Sequence, residues 1–84
     1  MNSTNQSYPT KDEVIETFNK VLAIRLTYED VHQKTLAELG IDSMELLDIN
    51  LALDLEYELQ FDLEKISSQS KITDLIDDIL TSRQ

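Results

Sequence analysis

Apolar residues recur at helical spacing in three stretches of this chain, and nowhere do they alternate as in a half-buried strand. Val14, Phe18, Val21 and Leu22, flanked by Ile15 and Ile24, predict a first helix over residues 11–25. The preceding "TKDE", Thr10 to Glu13, has the form of a capping box: a threonine hydroxyl takes a backbone N–H, and a glutamate three residues on returns the bond. Leu46, Ile49, Leu53 and Tyr57 predict a second helix from Asp42 or Ser43 to about Glu58, with Asp42 and Glu45 as its N-cap and N3 pair. Ile72, Leu75, Ile76 and Ile79 predict a last helix, with Ser70 as its cap. "FDLEKI" (residues 61–66) reads as one or two turns of a minor helix. Residues 26–41 are less periodic, and Val31, Leu36 and Leu39 are expected to anchor a long ordered loop. Loops of that length without secondary structure of their own are uncommon and often functional. The expected fold is all-α: a small four-helix bundle of three main helices and one short one, with a long first loop. Residues 1–9, polar and closed by Pro9, are expected to be a disordered tail, and residues 10–81 the folded domain.

The second helix is apolar on more of its circumference than one buried face requires. With about 100° per residue, Leu46, Ile49, Leu53 and Tyr57 share one arc, with Asn50 beside them. Met44, Leu47, Leu51 and Leu55 share another, well round the helix. Glu45, Asp48 and Glu56 border this second arc, and Asp54 and Glu58 fall within it. Either both arcs are covered by neighbouring helices, or the second is an exposed apolar patch ringed by charge, which marks a partner site.

Charge sharpens that choice. The chain carries a net charge of −10. Between Lys34 and Lys65 there is no Lys or Arg, yet Glu38, Asp42, Glu45, Asp48, Asp54, Glu56, Glu58, Asp62 and Glu64 all lie there. A solvated acidic helix would account for such a run, but this one begins at a Gly-Ile-Asp-Ser junction and suits a docking face for a basic partner. Nucleic acid is disfavoured, because phosphate is repelled by this surface. The absence of cysteine removes disulfides and any thiol chemistry by the chain's own side chains. A single histidine, His32, argues against an ordinary zinc site, and no D-x-D-x-D-G loop is present to bind calcium. The first residues lack a secretory leader's basic start and apolar stretch, and no apolar run approaches the roughly 20 residues of a membrane span, so a cytoplasmic location is expected. Met1 and the short tails are read as those of a free-standing protein, expected to be a monomer.

The chain's only glycine, Gly40, stands three residues before Ser43 at the mouth of the second helix. Ser43 is either an ordinary first-turn serine or a point of attachment. No G-x-S-x-G elbow surrounds it, and Asp and His do not recur at nucleophile spacing, so a serine hydrolase is poorly supported. A helix N-terminus presents unpaired N–H groups and the positive end of the helix dipole, which suits a phosphate ester. Gly40 suits a backbone turn with positive φ, and would keep the approach free of side-chain bulk.

"LGIDSMELLDINLALDLEYEL" resembles the acyl carrier protein family, whose hallmark is Leu-Gly-x-Asp-Ser-Leu followed by an acidic helix. Leu39, Gly40, Asp42 and Ser43 match it, and Met44 replaces the usual leucine. The resemblance covers about residues 11 to 80. It implies that a phosphopantetheinyl transferase uses coenzyme A to place a 4′-phosphopantetheine arm on Ser43, with Asp42 and Gly40 shaping that position. The arm's thiol would hold acyl groups as thioesters, and the carrier itself would catalyse nothing. Met44, Glu45, Leu47, Asp48, Leu51 and Glu56 would form the docking face for acyl-loading, acyl-transfer and condensing enzymes with basic surfaces. An acyl chain would lie among Phe18, Leu46, Leu53 and Ile76. Four positions depart from the family's habit: Asn50 replaces an apolar residue, Leu55 an acid, Asp62 a proline and Thr35 a phenylalanine. A specialised carrier in polyketide or lipopeptide synthesis is therefore as well indicated as a fatty-acid carrier. The alternative is a helical interaction module that never carries a group and binds through the acidic, leucine-rich face alone.

Overall fold

The computed structural model describes residues 9–82; the predicted tail lies outside them except for Pro9, which is buried. The described chain is a small all-α bundle of five α-helices: α1 (Lys11–Leu22), α2 (Tyr28–His32), α3 (Leu36–Leu39), α4 (Ser43–Tyr57) and α5 (Ile72–Ser82). A 3-10 turn, Leu63–Lys65, lies between the last two. The fold class expected from the periodicity is the one observed, with α1, α4 and α5 as the main helices. Among the described residues, no helix is long and apolar enough to cross a membrane.

The capping box of α1 forms as expected: Glu13 N–H donates to Thr10 Oγ1 at 3.2 Å, and Thr10 N–H donates to Glu13 Oε1 at 2.8 Å. The helix stops at Leu22, three residues short of the expected end. Ala23 turns into the left-handed region (φ 57°), and Asn19 Oδ1 accepts the Leu26 N–H at 2.9 Å. That bond draws the chain inward, so Leu26 is buried instead of extending the helix.

The expected long loop contains two short helices. Thr27 and Asp30 form a capping box that starts α2, and Thr35 and Glu38 form another that starts α3. Val31 and Leu36 are buried as expected, while Leu39 packs against the core from a half-buried position. α3 is tied to the far end of the chain by Leu36 N–H to Ser70 O and Ala37 N–H to Ser68 O, both 2.9 Å.

Ser70 does not cap α5. Its hydroxyl accepts the Ser67 N–H at 3.0 Å, and in the first turn of α5 the Asp74 and Leu75 N–H groups donate to the Lys71 carbonyl. The minor helix of "FDLEKI" is the 3-10 turn, with Asp62 as its N-cap through the Glu64 N–H.

One core joins the layers. Val14 and Phe18 of α1, Ile49 and Leu53 of α4 and Ile72 and Ile76 of α5 are fully buried. Phe18 meets Phe61 edge to face, with centroids 5.8 Å apart. The polar Asn50 is accommodated at the edge of this core because its Oδ1 accepts the Phe61 N–H at 2.7 Å. Tyr57, placed on the buried arc by its spacing, is only partly buried. Burial, and then the nearby carboxylates of Glu13 and Glu56, push its phenol above the usual tyrosine range.

Two left-handed positions test this account of the helix ends. Gly40 (φ 74°) suits its turn, whereas Ala23 carries a Cβ there. Ala23→Gly is expected to stabilise the fold by about 1 kcal/mol, and Gly40→Ala to destabilise it by about 1 kcal/mol, both measured by urea unfolding.

Candidate functional site

The site is assembled by consecutive turns. Gly40 closes α3, donating its N–H to the Leu36 and Ala37 carbonyls. Ile41 is buried and donates to the Leu36 carbonyl at 3.0 Å, which anchors the junction to the core. Asp42 is extended and caps α4: Glu45 N–H donates to Asp42 Oδ1 at 2.9 Å, and Asp42 N–H donates to Glu45 Oε1 at 3.2 Å. Ser43 is thereby fixed at the first position of a 15-residue helix, with its side chain exposed. The Ser43 and Met44 N–H groups take no acceptor among the described residues, as expected of a first helical turn.

The positive φ expected of Gly40 is the one observed, 74°. A Cβ built there meets nothing within 4 Å, so the position requires glycine for its positive φ rather than for lack of room.

Beside Ser43 lies an open hollow of about 240 Å³, walled by Ile41, Leu46 and Ile66 and bordered by Ser67 and Ser68. Phe18, Leu46, Leu53 and Ile76, expected to surround an acyl chain, belong to one packed core.

The surplus face of α4 is uncovered. Met44 is 68% exposed, Leu47 49%, Leu51 59% and Leu55 77%. Of the two readings of the second arc, coverage by neighbouring helices is thus excluded within residues 9–82. Asp48 and Glu58 are exposed near the row, and Asp54 is half-buried along it. The remaining two expected docking acids are engaged within the fold. Glu45 completes the cap, and Glu56 faces α1, where its Oε1 accepts the hydroxyl of buried Thr17 at 2.9 Å and its Oε2 lies 3.7 Å from Lys20 Nζ. Leu55 and Glu58 therefore lie on the outer face, whereas Glu56, although exposed, is turned to its α1 border. Among the described residues, no cluster of His, Asp and Glu is arranged to hold a metal ion.

No protein-family model matches the chain, and no curated protein or solved structure matches it. The resemblance to acyl carriers, carried by residues 39–59 and extending over about residues 11 to 80, rests on the sequence itself.

The contrast between the acids is measurable. Glu56→Ala is expected to lower stability by about 1 kcal/mol, because it removes the shorter of the Thr17 hydroxyl's two bonds and leaves only the Glu13 carbonyl at 3.4 Å, whereas Asp48→Ala stays within about 0.5 kcal/mol of the parent in urea unfolding.

Proposed function

We propose that the protein is an acyl carrier: Ser43 accepts a 4′-phosphopantetheine arm from coenzyme A, and α4 presents that arm to partner enzymes. The observation that carries this proposal is an exposed serine, its hydroxyl without a bonding partner among the described residues, at the head of a helix whose outer face is a bare row of large apolar residues among acids.

The residues at hand fit the group. A phosphodiester on Ser43 would meet the two unpartnered amides of the first turn and the positive end of the α4 dipole, worth about 0.3–1 kcal/mol at an exposed site. The Asp42 and Glu45 carboxylates are already turned to backbone N–H groups. The adjoining hollow offers apolar walls from Ile41, Leu46 and Ile66 and hydroxyls from Ser67 and Ser68, a mixture suited to an amide-bearing chain. When bound, the arm supplies the thiol that a cysteine-free sequence lacks. The fold's own part is to position and present: the cap fixes Ser43, the core holds α4 rigid, and the acids attract basic partners. Polyketide, lipopeptide and fatty-acid synthesis all employ such carriers. Asn50, bonded to the Phe61 backbone, gives the core edge a fixed polar contact beside any buried chain.

A second reading follows from the leucine row alone, whose exposure does not depend on Ser43: a helical module that binds partners without carrying a group. The two readings separate experimentally. Purified protein incubated with coenzyme A, Mg²⁺ and a broad-specificity phosphopantetheinyl transferase is expected to gain the mass of one phosphopantetheine, and Ser43→Ala none. An unchanged parent mass, or an equal gain in Ser43→Ala, refutes the carrier assignment.

A further inference from the structure

The apolar row on α4 runs further from Ser43 than one partner centred there can cover. Leu55 is twelve residues beyond Ser43, about 18 Å along the helix axis. A typical specific interface covers about 800 Å² of one partner, equivalent to a disc of about 16 Å radius. For a transferase whose contacts are centred on the Ser43 hydroxyl, Met44, Leu47 and Asp48 fall well inside the footprint, Leu51, about 12 Å along the helix, falls towards its edge, and Leu55 lies at or past its rim. Yet Leu55, at 77%, is the most exposed large apolar side chain described, and Leu51 beside it is 59% exposed. The distal end also has its own electrostatics. Asp54 and Glu58 adjoin Leu55, the last turn of α4 holds no basic residue, and the helix dipole there is negative. Lys20, which approaches α4, sits on the α1 side against Glu56.

We infer that α4 carries two offset footprints, a proximal one around Ser43, Met44 and Leu47 and a distal one centred on Leu51 and Leu55. The occupant of the distal footprint is a partner protein with an apolar socket rimmed by Lys or Arg. Charge complementarity selects it, because every charged residue from 35 to 64 is an acid. A second copy of this chain would set one such acidic run against another. The division of labour rests on the carrier reading: enzymes working on the end of a long arm need not centre on Ser43, and Leu55 distinguishes them from the transferase that does. A partner with a cation where Leu55 lands would leave that charge desolvated against a methyl surface, so Leu55 is a specificity-determining residue.

Leu47→Gln and Leu55→Gln preserve charge and helix and test the two ends separately, with circular dichroism confirming the fold. Two probes are used: the broad-specificity transferase with coenzyme A, and a synthetic helical peptide bearing a leucine row flanked by lysines, with a scrambled peptide of the same composition as control. Leu47→Gln is expected to slow modification of Ser43 about tenfold, and Leu55→Gln less than about twofold. The ordered peptide is expected to shift the amide resonances of residues 51–58, to bind more weakly by about tenfold to Leu55→Gln, and to outcompete the scrambled peptide. Equal slowing by both variants overturns the inference. So do peptide-induced shifts away from the distal end, equal binding of the scrambled peptide, or self-association of the chain through this face. If the parent chain takes no arm at all, the carrier reading fails on its own, and the peptide measurement still decides the distal surface.

Discussion

The reciprocal bonds between Asp42 and Glu45 set the register of everything that follows them. They fix the residue at which α4 begins, and a helix start also fixes its phase. A start displaced by one residue would turn each side chain about 100°. With the observed start, Leu46, Ile49 and Leu53 point into the core, Met44, Leu47, Leu51 and Leu55 point out, and Ser43 stands at the open end. The bend before it is held by Gly40 in the left-handed region and by Ile41 in the core, so the cap is aimed as well as formed.

That arrangement leaves α4 with an unresolved physical debt to water. Four large apolar side chains stay about half exposed or more, although the fold has already closed its core with residues from α1, α4 and α5. Isolated exposed apolar residues are ordinary on a protein surface; a row of them on one helix face, among acids without a single base, is what a recognition surface looks like. The fold also sorts the acids. Glu45 and Glu56 spend their oxygens on the cap and on α1, while Asp48 and Glu58 remain exposed.

Much of this was legible in the residues. The period of α1, α4 and α5, the boxes at Thr10 and Asp42, the two arcs of α4 and the exposed Ser43 all follow from local patterns, which short helical contacts preserve. The two short helices between α1 and α4 were hidden because four or five residues are too few to show a period, although Thr27 with Asp30 and Thr35 with Glu38 carry the same capping signal as Thr10 with Glu13. The early end of α1 depends on Asn19 reaching Leu26, and the true role of Ser70 on a tight local turn; neither leaves a mark in hydrophobic spacing. Glu56 stands at the border of the outer arc by its phase and on the docking face by resemblance, and only the approach of buried Thr17 from α1 shows where its oxygens go. Three departures from the acyl carrier pattern have structural partners of their own: Thr35 caps α3, Asp62 caps the 3-10 turn, and Asn50 holds the Phe61 backbone. The fourth, Leu55, has no such partner among the described residues and lies exposed on the outer face of α4.

The most direct test of the carrier assignment is the chemical state of Ser43 in protein taken from its source. Because no Lys or Arg lies between Lys34 and Lys65, trypsin releases residues 35–65 as one peptide containing Ser43. Mass spectrometry of that peptide is predicted to show a phosphopantetheine on Ser43, part of it carrying an acyl group that hydroxylamine removes. A peptide whose Ser43 is uniformly unmodified would contradict the assignment.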